Sequence, residues 1–492
     1  MTDALQVLVD AISGGTQTSD DEMLAAMRGL FGHRFVKRAA ANLDSSKPPF
    51  IRNAYGKGGG ETEHVAYAGF INPDNPPSGP YGGTSLVWFP SEEGCLIDFG
   101  IGTRGLSPDE GILTRPGHRR RISSLRRFLV QSGAEVAWAR QDPATTGAPV
   151  PEAVSRLLSP WSHVFKRYGN ELYCLAKVPK NNPELARVVV QAFVDLYAHE
   201  RGWEPLSAAK EEVESFVAEL NARWLKSPTV EEIEQLLEQR RFVVLQGPPG
   251  TGKSRIAEEM LREAYSGNGA IIQFHPSTTY EDFVAGISPD VADSSLRFKT
   301  RAGHLVDVAS KASQEPALLV IDEMNRADLG RVLGEAIYLF EADTTMPRSV
   351  RLPHKLNDSE TFTLPVGLRV LATMNTADRS ISQLDLAIRR RFSFVDIMPS
   401  REVVENHSTR VGLELFDALC DVFIEFAPDE SLALLPGHSY FIVPNGDESV
   451  LRRRLRHELL PLIDDYIREG YLGPATAELH SVRNRIADAA SV

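Results

Sequence analysis

From residue 241 onward, apolar positions fall into five short runs: 241–246 (RFVVLQ), 270–274 (AIIQF), 317–322 (ALLVID), 368–373 (LRVLAT) and 393–397 (SFVDI). Each is too short for a helix and nearly continuous in apolar character, the pattern of a strand covered on both faces. Helix-like segments separate them, which predicts an α/β fold. Its parallel sheet would carry helices on both faces and bind ligands at the carboxyl ends of the strands. Beyond about residue 401 helical spacing continues without strands, predicting a helical lid over 401–492. Upstream, 182–224 repeats apolar residues at helical intervals (Leu185, Val189, Phe193, Tyr197, then Val213, Phe216, Val217, Leu220) with a break near Gly202 and Pro205. Thr229 with Glu232 three residues on has the spacing of a capping box that opens a helix. Residues 1–140 mix short β-like runs, 83–89 and 95–102, with glycine-rich turns, the mark of an α+β module. Between them, 141–151 (QDPATTGAPVP) reads as an exposed linker. The predicted division is therefore an N-terminal domain over 1–140, a linker and helical connector over 141–226, an α/β domain over 227–400 and a lid over 401–492.

A chain of 492 residues exceeds what one core supports, consistent with that division. Its formal charge of −13 excludes a protein that coats nucleic acid through bulk charge, so any DNA contact is local. No window reaches the roughly 18 uninterrupted apolar residues of a membrane span, and the start lacks a basic signal region, so a cytoplasmic location is expected. The three cysteines, Cys95, Cys174 and Cys420, have neither zinc-site nor disulfide-framework spacing.

The candidate chemistry sits at the ends of the apolar runs. The first leads into Gly247-Pro248-Pro249-Gly250-Thr251-Gly252-Lys253-Ser254 and then a helical pattern with Ile256, Met260 and Leu261 on one face. Glycines let the loop curl so that backbone N–H groups point at phosphate oxygens, and the helix presents its positive end to them. Lys253 would bridge the β- and γ-phosphates of a nucleotide and Ser254 would ligate Mg²⁺. The third run ends in Asp322-Glu323. Asp322 would hold the metal through water, and Glu323 would polarise the attacking water, since phosphoryl transfer needs positioning and charge neutralisation more than covalent chemistry. The fourth run reaches Asn375, an amide able to orient that water from the other side or to cap the next helix. Arg389, Arg390 and Arg391 close a later helix. One or two of them could reach the γ-phosphate of a neighbouring subunit, while favourable placement at a helix C-terminus accounts for at least one.

In the first domain Arg104, Arg115, Arg119, Arg120, Arg121, Arg126 and Arg127, with His118, form the densest basic stretch outside 389–391, opposed between 101 and 130 only by Asp109 and Glu110. Arg119, Arg120 and Arg121 are the candidate DNA contacts. Tyr81, Trp88 and Phe99 lie near them in sequence and could stack on a flipped base, although a core role is the better reading for Trp88 and Phe99. The run 56–60 reads as a flexible loop, because no helical pattern follows it.

Residues 227–470 resemble the McrB-type AAA+ motors of modified-cytosine restriction systems. The resemblance rests on Met374-Asn-Thr-Ala-Asp-Arg-Ser380-Ile381, on Gln273-Phe-His-Pro-Ser277 with Tyr280-Glu-Asp-Phe283 and Gly286, and on Ile321-Asp-Glu-Met-Asn-Arg326. Gly334-Glu335 before Tyr338 and Gly437-His-Ser-Tyr-Phe441 add to it. It implies a hexameric ring that binds nucleotide between subunits and works with a separate nuclease-bearing partner of the McrC type. It further implies that Asn325 helps place the catalytic water, Asn375 acts as sensor, and Arg390 and Arg391 act in trans. The founding McrB prefers GTP and most AAA+ relatives use ATP; the phosphate loop does not distinguish them, so ATP or GTP is expected. The region 286–306 resembles the family's hairpin, with Leu296, Phe298 and Leu305 as pore-lining candidates. No lysine has Asp or Glu two residues before it, so the common nuclease signature is absent and cleavage is expected from a partner. Two functions fit. The chain is either the motor and DNA-recognition subunit of a restriction-type defence complex, or an AAA+ ring that remodels a protein partner through its first domain.

Overall fold

Short, largely apolar runs in the first part of the chain build a six-stranded antiparallel sheet in the computed structural model. Its strands are β1 (Phe50–Asn53), β2 (Ala68–Ile71), β3 (Thr84–Ser91), β4 (Gly94–Ile101), β5 (Ala137–Ala139) and β6 (Leu172–Pro179), in the order β1-β2-β3-β4-β6-β5. The described residues are 3–36, 50–53, 65–76, 80–145, 148–290, 297–341, 348–356, 359–377 and 384–491. They divide into two units, Met1–Trp224 with Ile424–Phe426, and Leu225–Phe423 with Ala427–Val492.

One face of the sheet buries Leu86, Trp88, Ile97 and Phe99 against helices α1 (Ala4–Ser13) and α3 (Pro183–Arg201), with Phe99 stacked on Phe193 at 5.3 Å. Trp88 and Phe99 are thus core residues. Helix α2 (Pro116–Gln131) adds Ile122, Leu125 and Leu129 to the same core. Helix α3 starts where the Asn182 side chain accepts from the Leu185 N–H and Pro183 presets the first turn, and it stops at Gly202 with φ of 62°. Helix α4 (Ser207–Ala222) follows, so the predicted helical spacing and its break both appear.

The expected boundary at 140 does not stand. The stretch 141–226 is no connector: β6 lies between β4 and β5 in the sheet, and α3 fills its core. Arg140 closes the excursion that leads there, donating to the carbonyls of Leu172 (2.7 Å), Gly169 (3.0 Å) and Thr145 (3.2 Å). Proline content marked a real loop there, but the strand beyond it pairs with partners about 75 residues away (Cys174 with Phe99, for instance), which no local pattern encodes.

Asp109 ties this unit together. Buried near the cis Ser107–Pro108 bond, its carboxylate takes a two-pronged ion pair from Arg201 (2.5 and 2.6 Å), and hydrogen bonds from the Asn72 side chain and the Thr84 N–H (both 2.8 Å). Removing one member of such a group strands a buried charge.

In the second unit the capping box at Thr229 and Glu232 forms as expected and starts α5 (Val230–Arg240). Five parallel strands follow: β7 (Phe242–Gly247), β8 (Gly269–Gln273), β9 (Ala317–Asp322), β10 (Leu368–Asn375) and β11 (Ser393–Asp396), in the order β8-β9-β10-β7-β11. All five apolar runs are strands of one sheet. Its two faces bury separate clusters, one containing Ile233, Leu237, Ala257 and Met260, the other Leu305, Val308, Val332 and Phe340. Helix α6 (Lys253–Glu263) springs from the first strand. The hairpin Ala285–Asp290/Arg297–Ala302 carries an exposed Phe298, but Leu305 is a fully buried core residue, which removes it from the pore-lining candidates. Leu296 and the segments 56–60 and 378–381 lie outside the described residues. Past 400 the chain is helical, with Arg401–His407, Glu448–Arg454, Leu460–Arg468 and Thr476–Ser491 among its helices. No helix among the described residues is long and apolar enough to cross a membrane.

Asp109→Ala is expected to lower the stability of the first unit by about 3–5 kcal/mol. Urea denaturation of the full chain, followed by tryptophan fluorescence, checks this as an early shift of the transition that reports Trp88 and Trp203.

Candidate nucleotide-binding site

The strand order decides what meets. Because β9, β10 and β7 are neighbours and all point the same way, Asp322, Asn375 and Gly247 arrive side by side at the carboxyl edge of the sheet. Register pairs Asn375 with Gly247 and Gln273 with Asp322.

Beyond Gly247 the loop 248–252 curls onto the N-terminus of α6. Gly247 has φ of 153°, and a Cβ there would stand 2.2 Å from the Ile397 carbonyl oxygen, so only glycine fits. Lys253 is buried, its ammonium donating to the carbonyls of Gly247 (3.0 Å) and Pro248 (2.6 Å), held above the loop rather than in solvent. Thr251 closes the turn by donating to the Pro248 carbonyl at 3.0 Å.

Asp322 is the point of convergence. Its Oδ1 accepts from the Ser254 hydroxyl at 2.7 Å and from the Thr373 hydroxyl at 2.6 Å. The Thr373 oxygen in turn accepts the Glu323 N–H at 3.0 Å. A hydroxyl and a carboxylate held this close form the oxygen-rich donor set that a hard divalent cation prefers, so the residues fit Mg²⁺. Glu323 has left-handed backbone, φ of 53°, unusual outside glycine. Its carboxylate pairs with Arg326 (2.7 Å) and accepts from the Gln273 amide (3.2 Å). Asn325 is buried and donates to the Asn375 carbonyl at 3.3 Å, joining the two asparagines.

The lid reaches the same loop. The N–H groups of Gly437 and Ser439 donate to the carbonyls of Pro249 (3.0 Å) and Gly250 (3.1 Å). Between them, His438 accepts the Ser400 N–H on Nδ1 at 3.2 Å, so its Nε2 carries the proton and faces Gly252. Burial, reinforced by Arg255, pushes the imidazole down to about 4, leaving it neutral near pH 7. Two strings far apart in sequence also meet, Tyr280 donating its hydroxyl to Glu335 at 2.7 Å.

The arginines at 389–391 separate. Arg389 and Arg390 are exposed, Arg389 lying over Phe394 at 5.6 Å, while Arg391 turns back onto the Ala387 carbonyl of its own helix, Leu386–Arg391, at 2.8 Å. The basic stretch of the first unit is a correction. Arg121 is buried in an ion pair with Glu200 at 2.7 Å, Arg120 is buried beside Trp224, and Arg119 is half-buried, because helical spacing turns 120, 121, 124 and 125 to the inside of α2. They form no open patch for DNA. Arg126 and Arg127 are the exposed arginines of that helix.

Thr373, Gln273 and His438 complete the site without having been assigned roles from the sequence. Gln273 and His438 stand in strings that resemble the McrB family and Thr373 directly precedes one, but a threonine one strand away from an aspartate has no signature of its own until the register is known.

A parallel sheet with this phosphate loop, an acidic strand end and a helical lid defines a P-loop nucleoside triphosphatase of the AAA+ class. The family model for the AAA domain (dynein-related subfamily) matches residues 242–392. Among curated relatives, the Type IV methyl-directed restriction enzyme EcoKMcrB subunit of Escherichia coli (strain K12) is 29% identical over 348 residues, covering 64% of this chain and 75% of its own. The Type II restriction enzyme BsuMI component YdiS of Bacillus subtilis (strain 168) is 26% identical over 207 residues, 34% of this chain and 60% of its own. Within the AAA+ class, the likeness to the McrB subunit supports a nucleoside triphosphatase of the McrB type.

Thr373→Val keeps shape but removes the hydroxyl that links Asp322 to Glu323. Steady-state phosphate release is expected to fall about 10–100-fold, with the melting temperature lowered by only a few degrees for the lost hydrogen bonds.

Proposed function

We propose that this chain is the motor and target-recognition subunit of a restriction-type defence complex, a hexameric ring that hydrolyses ATP or GTP to drive translocation along DNA or to activate a McrC-like nuclease subunit. The observation that carries the reading is the Asp322 carboxylate shared by the hydroxyls of Ser254 and Thr373, with Glu323 beside it on the same strand end. The two restriction-system relatives support the biological setting.

In this reading Gly247, Pro248, Pro249, Gly250, Thr251 and Gly252 wrap the phosphates with backbone N–H groups, and Lys253 leaves the loop carbonyls for the β- and γ-phosphates. Ser254 and Asp322 hold Mg²⁺, which supplies charge neutralisation on the phosphate oxygens. Glu323 takes the proton of the attacking water once freed from Arg326 and Gln273. Asn375 and Asn325, joined through one hydrogen bond, orient that water from the β10 side. Arg390, exposed at the end of its helix, is the better placed of the trans-acting pair, since Arg391 is drawn onto its own helix.

The test is phosphate release by the purified chain with Mg²⁺, ATP and GTP being compared in parallel. Lys253→Ala and Glu323→Gln should each lose at least about 100-fold in kcat, with Glu323→Gln still binding nucleotide and assembling by native mass spectrometry. Wild-type turnover in either variant would sink the assignment, and the faster nucleotide identifies the base.

A further inference from the structure

The lid segment 437–441 lies directly on the phosphate loop. A Cβ at Gly437 would stand 2.1 Å from the Gly250 carbonyl oxygen, and one at Gly250 would stand 2.3 Å from the Ser439 hydroxyl, so glycine at both positions lets the two backbones touch. The bonds from the Gly437 and Ser439 N–H groups to the loop carbonyls then fasten the contact. From the other side Arg454, the last residue of the helix Glu448–Arg454, donates to the carbonyls of Ser439 (2.7 Å) and Ile442 (2.6 Å). Loop, segment and lid helix are joined in series, so a ligand held by the segment is held by the lid.

One side chain of this segment turns back on the loop with a hydrogen still to donate. His438 uses Nδ1 to accept the Ser400 N–H, which fixes the tautomer and leaves the Nε2–H at the loop, 3.7 Å from the place a Gly252 Cβ would take. That N–H has no acceptor among the described residues, and the ring is only half-buried. The charge acting on it is that of Arg255, exposed on the first turn of α6. The loop beneath presents backbone N–H groups and the Lys253 ammonium. A directed donor set among further donors and cations is complementary to an anion, and the anion this loop is built to hold is a phosphate.

We propose that His438 binds the nucleotide directly, its Nε2–H donating to a non-bridging phosphate oxygen and bringing the lid into the binding site. The inference rests on the nucleotide-binding reading given above and adds to it a ligand-touching residue from outside the parallel sheet. Ser400 acts through the ring as a positioning group, since its N–H holds Nδ1 and so aims Nε2. The donor is neutral, and it therefore adds direction to a site whose positive charge Lys253 already supplies.

Two substitutions divide the duties of the ring. His438→Asn keeps an oxygen near the Nδ1 position to accept the Ser400 N–H but reaches no further, whereas His438→Gln gives up that bond and restores an N–H near the Nε2 position. Isothermal titration calorimetry of the full chain with Mg²⁺ and ADP, GDP or the β,γ-imido analogues of ATP and GTP reads the difference, with a thermal melt of each variant alongside. Kd is expected to rise about tenfold or more in His438→Asn and to stay within about threefold of the wild type in His438→Gln. A loss seen already with the diphosphates assigns the contact to the α- or β-phosphate, and one confined to the imido analogues assigns it to the γ-phosphate. A merely structural ring predicts the reverse order, a mild effect in His438→Asn and a severe one in His438→Gln. That order, equal losses in the two variants, or wild-type affinity in His438→Asn overturns the proposal and leaves the motor assignment standing, provided Lys253→Ala still abolishes binding. A wild-type chain that binds none of the four nucleotides overturns both.

Discussion

The carboxylate of Asp322 is the contact on which the nucleotide site depends. It gathers the first residue after Lys253, the end of β9 and a hydroxyl from β10 onto one oxygen, with both hydrogen bonds under 3 Å. Thr373 extends the joint to the Glu323 backbone, so the metal-side and water-side groups form one hydrogen-bonded unit. A hydrogen bond to a charged acceptor is roughly twice as strong as a neutral one, which suits a joint that must hold two strands and a loop in register. Everything else in the motor can be read outward from it: the parallel sheet that delivers the three elements, the buried lysine beside them, and the lid segment 437–439 paired to the loop backbone.

Glu323 and Lys253 share a feature with mechanistic weight. Both are occupied by the protein itself, Glu323 by Arg326 and Gln273, and Lys253 by loop carbonyls. In the proposed mechanism both groups exchange these local partners for substrate and water. The left-handed backbone at Glu323 fits this role, since such conformations persist only where the surroundings over-determine them.

The first unit obeys a different logic. Its arginines are drawn inward: Arg34 pairs with buried Asp195 at 2.7 Å, Arg201 with Asp109, and Arg121 with Glu200. A basic stretch in a sequence is therefore ambiguous between a surface for phosphates and a set of internal ties, and only burial resolves it. Here the ties win for Arg120 and Arg121.

The sequence by itself determined the motor. Five apolar runs, a phosphate loop between a strand and a helix, an acidic pair at a strand end and a capping box are all local signals, because period, turn chemistry and strand length are set by near neighbours. The tertiary structure alone decided the pairing of Thr373 with Asp322, the approach of His438 to Gly252, the burial of Arg120, Arg121 and Leu305, and the insertion of β6 between β4 and β5. Those facts depend on register and on which helix face turns inward. Both are fixed by contacts between residues tens to hundreds of positions apart, for which a single chain read in order carries no local signature.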